Sequence, residues 1–262
     1  MHTKKHLKKI TNRYPQIGLS LIFLLLLFAE AYAAEADAGI THKDILISSD
    51  QARGNVAGIE WMILLHSVEN GRELSRTLKI QARDRNSLAE FLAPARIKGR
   101  KLLMLDRNMW FIKPGLKKPV PISPRQKLAG GAANGDIAST NYAGDYKPEA
   151  VSDDTFNGDE CYYFNLVSDN KRVTYDRISY WINKKNKLGV KAEFYTVSGK
   201  LLKTAVFEYD NTIDVDGETR PFVSKMVITD AVVAENITTM IYENVRVKNI
   251  PDSAFNLNLL RR

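Results

Sequence analysis

Cysteine is nearly absent. Cys161 is the only one in 262 residues, so no intramolecular disulfide can form and no cysteine-based zinc site can be built. It sits in the stretch CYYFNLV and reads as a small buried residue. Histidine is also scarce: beyond the N-terminal segment only His42 and His66 remain. They fall in different elements, without the H-x-x-x-H spacing or a nearby acid that a metal site needs. There is no G-x-S-x-G elbow for a serine nucleophile, and no P-loop or dinucleotide fingerprint. Gly130-Gly131 with Gly135 fits neither phosphate-binding pattern. Asp153-Asp154 and Asp159-Glu160 are paired acids beside turns, where solvated carboxylates are ordinary, and nothing selects a catalytic pair from them. These absences point away from an enzyme and call for no cofactor; they favour binding.

Long apolar runs are absent after the first 33 residues. Within those 33, Lys4, Lys5, Lys8, Lys9 and Arg13 form a basic n-region, Ile17 to Ala29 an apolar h-region, and Ala31-Tyr32-Ala33 an A-x-A cleavage site. That order is the pattern of a secretory signal peptide, with the mature chain starting at Ala34. The apolar run is shorter than the ~20 residues that span a bilayer comfortably, and an uncleaved anchor is the rival reading. Cys161 does not follow the h-region, so there is no lipoprotein lipidation site. Residues 1–33 hold five basic residues and one acid, so their removal takes the net charge from +8 to +4. The remaining Lys and Arg alternate with acids and form no stripe, which excludes a nucleic-acid footprint. Residues 34–262 are long enough for one β-rich domain with a sizeable core.

The rest of the chain is organised around Lys101 to Pro124, KLLMLDRNMWFIKPGLKKPVPISP. It predicts two short strands, Lys101 to Asp106 and Met109 to Lys113, joined at Arg107-Asn108. A two-residue loop there sets Asp106 opposite Met109, Leu105 opposite Trp110 and Leu103 opposite Ile112. One face then carries Leu103, Leu105, Trp110 and Ile112; the other carries Leu102, Met104, Met109 and Phe111. A half-solvated hairpin has one apolar face, so this one needs cover on both. Pro114, Pro119, Pro121 and Pro124 then forbid a central strand or a helix interior. The hairpin is either ordinary core or the wall of a cavity that holds something apolar.

Elsewhere, Thr41 before Ile45-Leu46-Ile47 predicts a short helix over 42–52, ended at Gly54. Strands are expected over 56–68 and 72–84, around the turn signal Glu69-Asn70-Gly71, and over 87–94. They resume over 160–167, 173–183, 189–197, 200–211, 219–231 and 237–247. Residues 250–260 read as a docked tail anchored by Phe255. About eleven strands joined by short turns predict an antiparallel meander that closes, or nearly closes, into a barrel. Ser123 to Tyr146, rich in Gly, Ala, Asn and Asp, reads as helical turns and loops forming a mobile cover outside the sheet. Alternation sets Phe194 against Lys191 and Glu193, and Met226 and Ile228 against Lys225 and Thr229. The candidate cavity wall is Leu103, Leu105, Trp110 and Ile112 with Phe194, Met226 and Ile228. The main rival is the opposite hairpin face, with Met104 and Phe111.

Four stretches carry a family resemblance: residues 98–136, from KGRKLLMLDRNMWF; VTYDRISYWINKKN at 173–186; VKAEFYTVSGKLLKTAVFEY at 190–209; and PFVSKMVITDA at 221–231. In this order and spacing the chain resembles the LolA-like periplasmic carriers of the outer-membrane lipoprotein-sorting family, and more closely their longer branch. The resemblance implies an unclosed antiparallel β-barrel with short helices covering an apolar concave side. It implies a monomeric periplasmic carrier that binds lipoprotein acyl chains or another envelope lipid, between an inner-membrane exporter and an outer-membrane acceptor. The lid region, 130–146, departs from the classical carrier in its Ala and Gly content. A non-catalytic adaptor subunit of an envelope export complex is the alternative, and a secreted lipid hydrolase the third reading.

Overall fold

Alternating apolar residues and Asx-Gly turns generate a chain of antiparallel strands. The computed structural model describes residues 39–168 and 170–261; the segment expected to be a signal peptide lies outside them. In chain order the elements are helix α1 (His42–Gln51), then strands β1 (Ile59–Glu69), β2 (Arg72–Arg83), β3 (Asn86–Ala93), β4 (Lys101–Leu105), β5 (Asn108–Ile112), β6 (Val120–Ile122), β7 (Lys127–Ala129) and β8 (Ala132–Ala133). Helix α2 (Tyr142–Asp145) follows, then β9 (Lys147–Phe156), β10 (Asp159–Val167), β11 (Arg177–Asn183), β12 (Gly189–Tyr195), β13 (Leu201–Glu208), β14 (Asn211–Val215), β15 (Glu218–Phe222), β16 (Lys225–Asp230) and β17 (Ile237–Val247). Asn70 and Gly71, between β1 and β2, both have positive φ, 50° and 73°. A two-residue turn that preserves the right-handed strand twist requires this.

Thirteen strands form one sheet in the order β6-β5-β4-β3-β2-β1-β17-β16-β13-β12-β11-β10-β9. Every neighbouring pair is antiparallel. The β1–β17 pairing joins the N-terminal meander to the C-terminal one. The sheet stays open, with β6 and β9 at its ends. The two strands beyond the expected eleven are these edges. Pro121 in β6 is compatible with an edge and not with a central strand. β9 is almost wholly exposed and carries Pro148, Asp153 and Asp154, a composition that discourages pairing with another chain. The strand expected over 219–231 divides at Val223-Ser224, because these residues bond elsewhere: the Val223 N–H donates to the Ala52 carbonyl (2.9 Å) and the Ser224 N–H to the Glu208 carbonyl (2.8 Å). β14 and β15 form a separate ribbon, as do β7 and β8.

The β4–β5 hairpin differs in register from expectation. Leu103 pairs with Trp110, Leu102 with Phe111 and Leu105 with Asn108, so the loop is Asp106-Arg107. Asp106 takes the positive φ, 56°, which aspartate tolerates better than most residues. The slip moves each partner by two residues, so the faces keep their predicted composition. Both faces are covered, as the sequence demanded. Leu102 and Phe111 belong to the main core, whereas Leu103 and Ile112 pack with Leu88 beneath Ile250 and Phe255 of the C-terminal tail.

The main core is the inner face of the sheet, covered by α1 and by residues 123–146. Phe194, Met226 and Ile228 are fully buried there, each contributing ~1.5–3 kcal/mol. Cys161 is fully buried too, as expected. Residues 123–146 lie outside the main sheet, but they are docked on it tightly: Leu128, Ala129, Ala132, Ala133 and Ile137 are all buried. Gly130 explains the small-residue composition. A Cβ there would come within 2.2 Å of Thr238 Oγ1 and 2.5 Å of Ser67 Cβ, so only glycine lets the segment lie this close to β17 and β1.

Three ionic contacts pin this cover. Arg125 makes a bidentate pair with Asp176, both bonds 2.8 Å. Arg107, at the hairpin tip, donates to Asp145 (2.8 Å). Lys203, from β13, meets Asp136 at 2.6 Å with both side chains buried. Asp136 also accepts from the Tyr175 hydroxyl (2.8 Å) and the Ala133 N–H (2.7 Å), and Lys203 donates to the Gly131 carbonyl (2.6 Å). Removing one partner of such a pair leaves an uncompensated buried charge. Lys203→Met should therefore cost about 3–5 kcal/mol of stability, read as a lower urea midpoint, and should speed hydrogen exchange over 127–137. A loss below about 1 kcal/mol with unchanged exchange would show that the ion pair does not pin the cover.

Candidate functional site

The cover leaves part of the inner face of the N-terminal strands open. Between the β2–β6 strands and the β7–β8 ribbon lies a groove of about 380 Å³, open to solvent on one side. This is within the range of sites that hold small ligands. Its apolar lining is Phe91, Ile97, Leu102, Phe111, Ile122 and Leu128. Its charged lining is entirely cationic: Arg76, Arg100 and Lys127. Lys127 is paired with Glu69. Gln126 and Asn134 complete the wall.

The residues expected to line a cavity divide between the two faces of the sheet. Phe194, Met226 and Ile228 come together on the inner face, within the packed core beneath the cover. Leu103, Leu105 and Ile112 lie on the outer face under the C-terminal tail, and the half-buried Trp110 pairs with Leu103 on that side. The structure does not bring these four to the other three. The hairpin residues that reach the groove are Leu102 and Phe111, from the rival face. Arg76 escaped the sequence analysis, although a signal was present. The alternation Leu74-Arg76-Leu78-Ile80 places one arginine in an otherwise apolar inward series, and Leu78 and Ile80 are fully buried.

A second polar feature lies deeper, where α1 meets α2. Asp50 is fully buried and accepts from the Ala143 N–H at 2.8 Å, tying α1 to the cover. Arg53 stacks over Phe207 and Tyr142, 4.3 and 5.4 Å from the ring centroids. Ser49 and Tyr180 share a hydrogen bond of 2.6 Å beside them. Asp50 Oδ1, Arg53 Nη1 and Trp61 Nε1 are buried without a hydrogen-bond partner in the protein. Burial pushes the Asp50 carboxyl up to about 7, against the opposing pull of the Ala143 and Tyr142 backbone groups and Arg53. Among the described residues no cluster of His, Cys, Asp and Glu could hold a metal. His66, exposed on β1, holds its ring Nδ1 3.2 Å from Ser75 Oγ, and His42 rests edge-on against Phe164. Asp154 lies on β9, accepting from Trp181 Nε1 at 2.7 Å.

An open antiparallel sheet with a helix and a crossover segment on its inner face is an architecture shared by known proteins. A family model described as "uncharacterized protein" matches residues 83–262. The chain belongs to that family, and its fold is the LolA-like open barrel. Among solved structures it is similar to a LolA superfamily protein from Nitrosomonas europaea, at 29% identity and a TM-score of 0.75, covering 83% of this chain and 98% of the other. A putative outer membrane lipoprotein-sorting protein domain from Vibrio parahaemolyticus shares the fold at 21% identity and a TM-score of 0.70, covering 84% and 98%. So does a DUF1329 family protein from Desulfovibrio piger, at 21% identity and a TM-score of 0.69, covering 83% and 97%. No curated protein matches the sequence. The family resemblance expected from the sequence is thus borne out.

The Asp50 site has a pH signature. An unfolded aspartate titrates near ~3.9, so between that value and about 7 the folded chain binds the proton and the unfolded chain does not. The contribution to stability is full below the unfolded value and is lost as pH rises through the folded one. Glu60 does not confuse this window. Burial opposes its charge, but Lys79, Lys248 and Gln81 hold its carboxyl down to about 2. The unfolding free energy from urea titrations should fall between about pH 4 and pH 7, by up to ~1.4 kcal/mol per pH unit, and level off above. Asp50→Asn should flatten that slope; an equally steep slope in the variant would assign it to another group.

Proposed function

We propose that this protein is a periplasmic carrier that shields an acyl chain of a lipoprotein or lipid for transfer toward the outer membrane. The observation that carries the proposal is the half-covered inner face, where the β4–β5 hairpin presents Leu102 and Phe111 to an open apolar groove. Each methylene buried there gains ~0.8 kcal/mol, so a chain of ordinary length does not cross water unshielded. A groove open along one side shields it while leaving a path for release. The similarity to a lipoprotein-sorting domain supports this reading. In it, residues 1–33 are a signal peptide, residues 34–262 form a single lipid-binding domain, and no catalytic step is involved. An inner-membrane exporter and an outer-membrane acceptor are the expected partners.

Protein prepared from the periplasm without detergent should carry lipid, detectable by mass spectrometry. No bound lipid and no uptake of added lipid would favour the adaptor role. The same preparation should begin at Ala34 by N-terminal sequencing; an intact Met1 on membrane-bound material would mean a retained anchor. Two substitutions on opposite faces of one hairpin test the groove. Phe111 is only partly buried, so Phe111→Glu should fold and lose lipid, because the chain would have to desolvate an unpaired carboxylate at a cost of several kcal/mol. Ile112→Glu should instead destabilise the fold by a comparable amount, since Ile112 is buried beneath the tail. A stable Ile112→Glu protein that loses lipid, beside a Phe111→Glu protein that keeps it, would move the site to the outer face.

A further inference from the structure

The groove sets two arginines, Arg76 and Arg100, beside the apolar wall residue Phe91. Arg76 lies on the inward-facing series of β2, with its guanidinium carbon 5.6 Å from the centre of the Phe91 ring. Two residues beyond Phe91, after Ala93, the chain leaves β3, passes through a turn of 3₁₀-helix at Ala95–Ile97, and returns. Two backbone bonds close this excursion: Phe91 N–H to the Arg100 carbonyl and Gly99 N–H to the Phe91 carbonyl, both 2.9 Å. Arg100 Nη2 donates to the Arg96 carbonyl at 3.2 Å. The β2–β3 register also shifts here, between Thr77 and Leu78, and such bulges commonly re-aim side chains beside sites. The result brings Arg76 of β2 and Arg100 of this loop into the groove wall, with Arg96 of the same loop beside them.

None of the three makes an ion pair with a carboxylate among the described residues, although other arginines do, Arg125 with Asp176 and Arg107 with Asp145 among them. Burial, followed by repulsion from Arg96 and Arg100, lowers the Arg76 pKa from its usual value. Like charges held together at partial burial are unfavourable unless something anionic joins them. A core function does not require this arrangement, because Leu74, Leu78 and Ile80 on the same strand already supply the apolar series.

We propose that Arg76, Arg96 and Arg100 form a headgroup site for an anionic phospholipid, whose phosphate they bind while its acyl chain lies along Phe91, Leu102 and Phe111. This rests on the carrier reading and names the chemical class of its ligand. The fork geometry of guanidinium suits phosphate oxygens, and the partly desolvated setting strengthens the contacts relative to water. Arg76 is the innermost of the three and sets how deep the head can sit. Arg96 is exposed and completes the ring from the solvent side.

The test compares two single-chain probes with identical acyl chains, lysophosphatidylglycerol and the phosphate-free monoacylglycerol, each titrated below its aggregation concentration into the mature chain. The anionic probe should bind about tenfold more tightly or better, the worth of a charge-assisted hydrogen bond to phosphate, with the advantage shrinking as salt is raised. Arg76→Gln and, separately, the exposed Arg96→Gln should each reduce the preference while leaving affinity for the monoacylglycerol nearly unchanged. A circular-dichroism melt confirms folding, and Arg96→Gln carries the test if Arg76→Gln does not fold. Equal binding of the two probes, or a preference indifferent to both substitutions, would overturn the headgroup site and leave the carrier reading standing. Binding of neither probe would sink the carrier reading itself. Displacement of the anionic probe by inorganic phosphate at equal concentration would make this a free-anion site, and would overturn the proposal.

Discussion

A thirteen-stranded open sheet with one apolar face is a structural liability, and the buried contact between Asp136 and Lys203 is where this protein resolves it. A closed barrel hides its inner face by curvature; an open one must bring a separate segment to lie on it. Residues 123–146 do this with small side chains, which allow the backbone to approach the sheet but contribute little apolar area of their own. Polar anchoring supplies what burial alone does not. Lys203 rises from the middle of the sheet and is met by a carboxylate, a tyrosine hydroxyl bound to that carboxylate, and a backbone carbonyl. Both charges are almost out of water, so the cluster is stable only when complete. It fixes the register of the cover against the sheet, and with it the position of the groove's far wall.

The distribution of that cover explains why a groove exists where it does. α1 and α2 sit over β11, β13 and the β14–β15 ribbon, where Tyr180, Phe207 and Phe222 meet Leu46 and Tyr142. The β7–β8 ribbon sits over β16, β17 and β1, with Gly130 and Gly131 against Thr238 and Ile228. Over β3 to β6 the cover is partial: Ser139 and Asp145 meet Ser87 and Arg107 near the hairpin tip, Leu128 closes part of the rest, and the remaining apolar surface lines the groove. On the outer face of the same strands the C-terminal tail supplies the missing layer, with Phe255 and Ile250 against Leu103 and Ile112. One hairpin is therefore packed on one side and available on the other.

Much of this was legible in the sequence, and the exceptions have definite causes. Two apolar faces on the β4–β5 hairpin, four prolines after it, and Asx-Gly turns elsewhere required a doubly covered hairpin, an edge strand and an antiparallel meander. The strand over 147–156 was missed because eight of its ten residues are exposed and none is buried, so it shows no apolar alternation; its local mark is the Asn157-Gly158 turn that follows. The hairpin register was off by one loop position because an aspartate accepted the left-handed conformation at Asp106. The division of the candidate wall residues has a different origin. Alternation assigns residues to two faces, but it does not say which face is the inner one. That choice depends on where the distant residues 250–260 dock, and no local pattern in the hairpin encodes it.

The groove's mixed character follows from the task such a surface would perform. A purely apolar groove open to water invites any greasy segment, including a second copy of the sheet, and holds a long chain by methylene burial alone. That grip grows with chain length and offers no handle for release. Replacing one inward-facing residue of β2 with Arg76 changes the balance. The arginine keeps its end of the groove hydrated when empty, which opposes collapse and self-association. It also converts part of the affinity from area to charge, which varies with the surroundings in a way that apolar area does not. Phe91 serves both ends of this arrangement. Its ring packs in the apolar wall, its backbone holds the Arg96–Arg100 turn in place, and its face sits beneath the Arg76 guanidinium. A single aromatic residue thereby couples the depth of the apolar channel to the position of the charged mouth, so neither can be altered without moving the other.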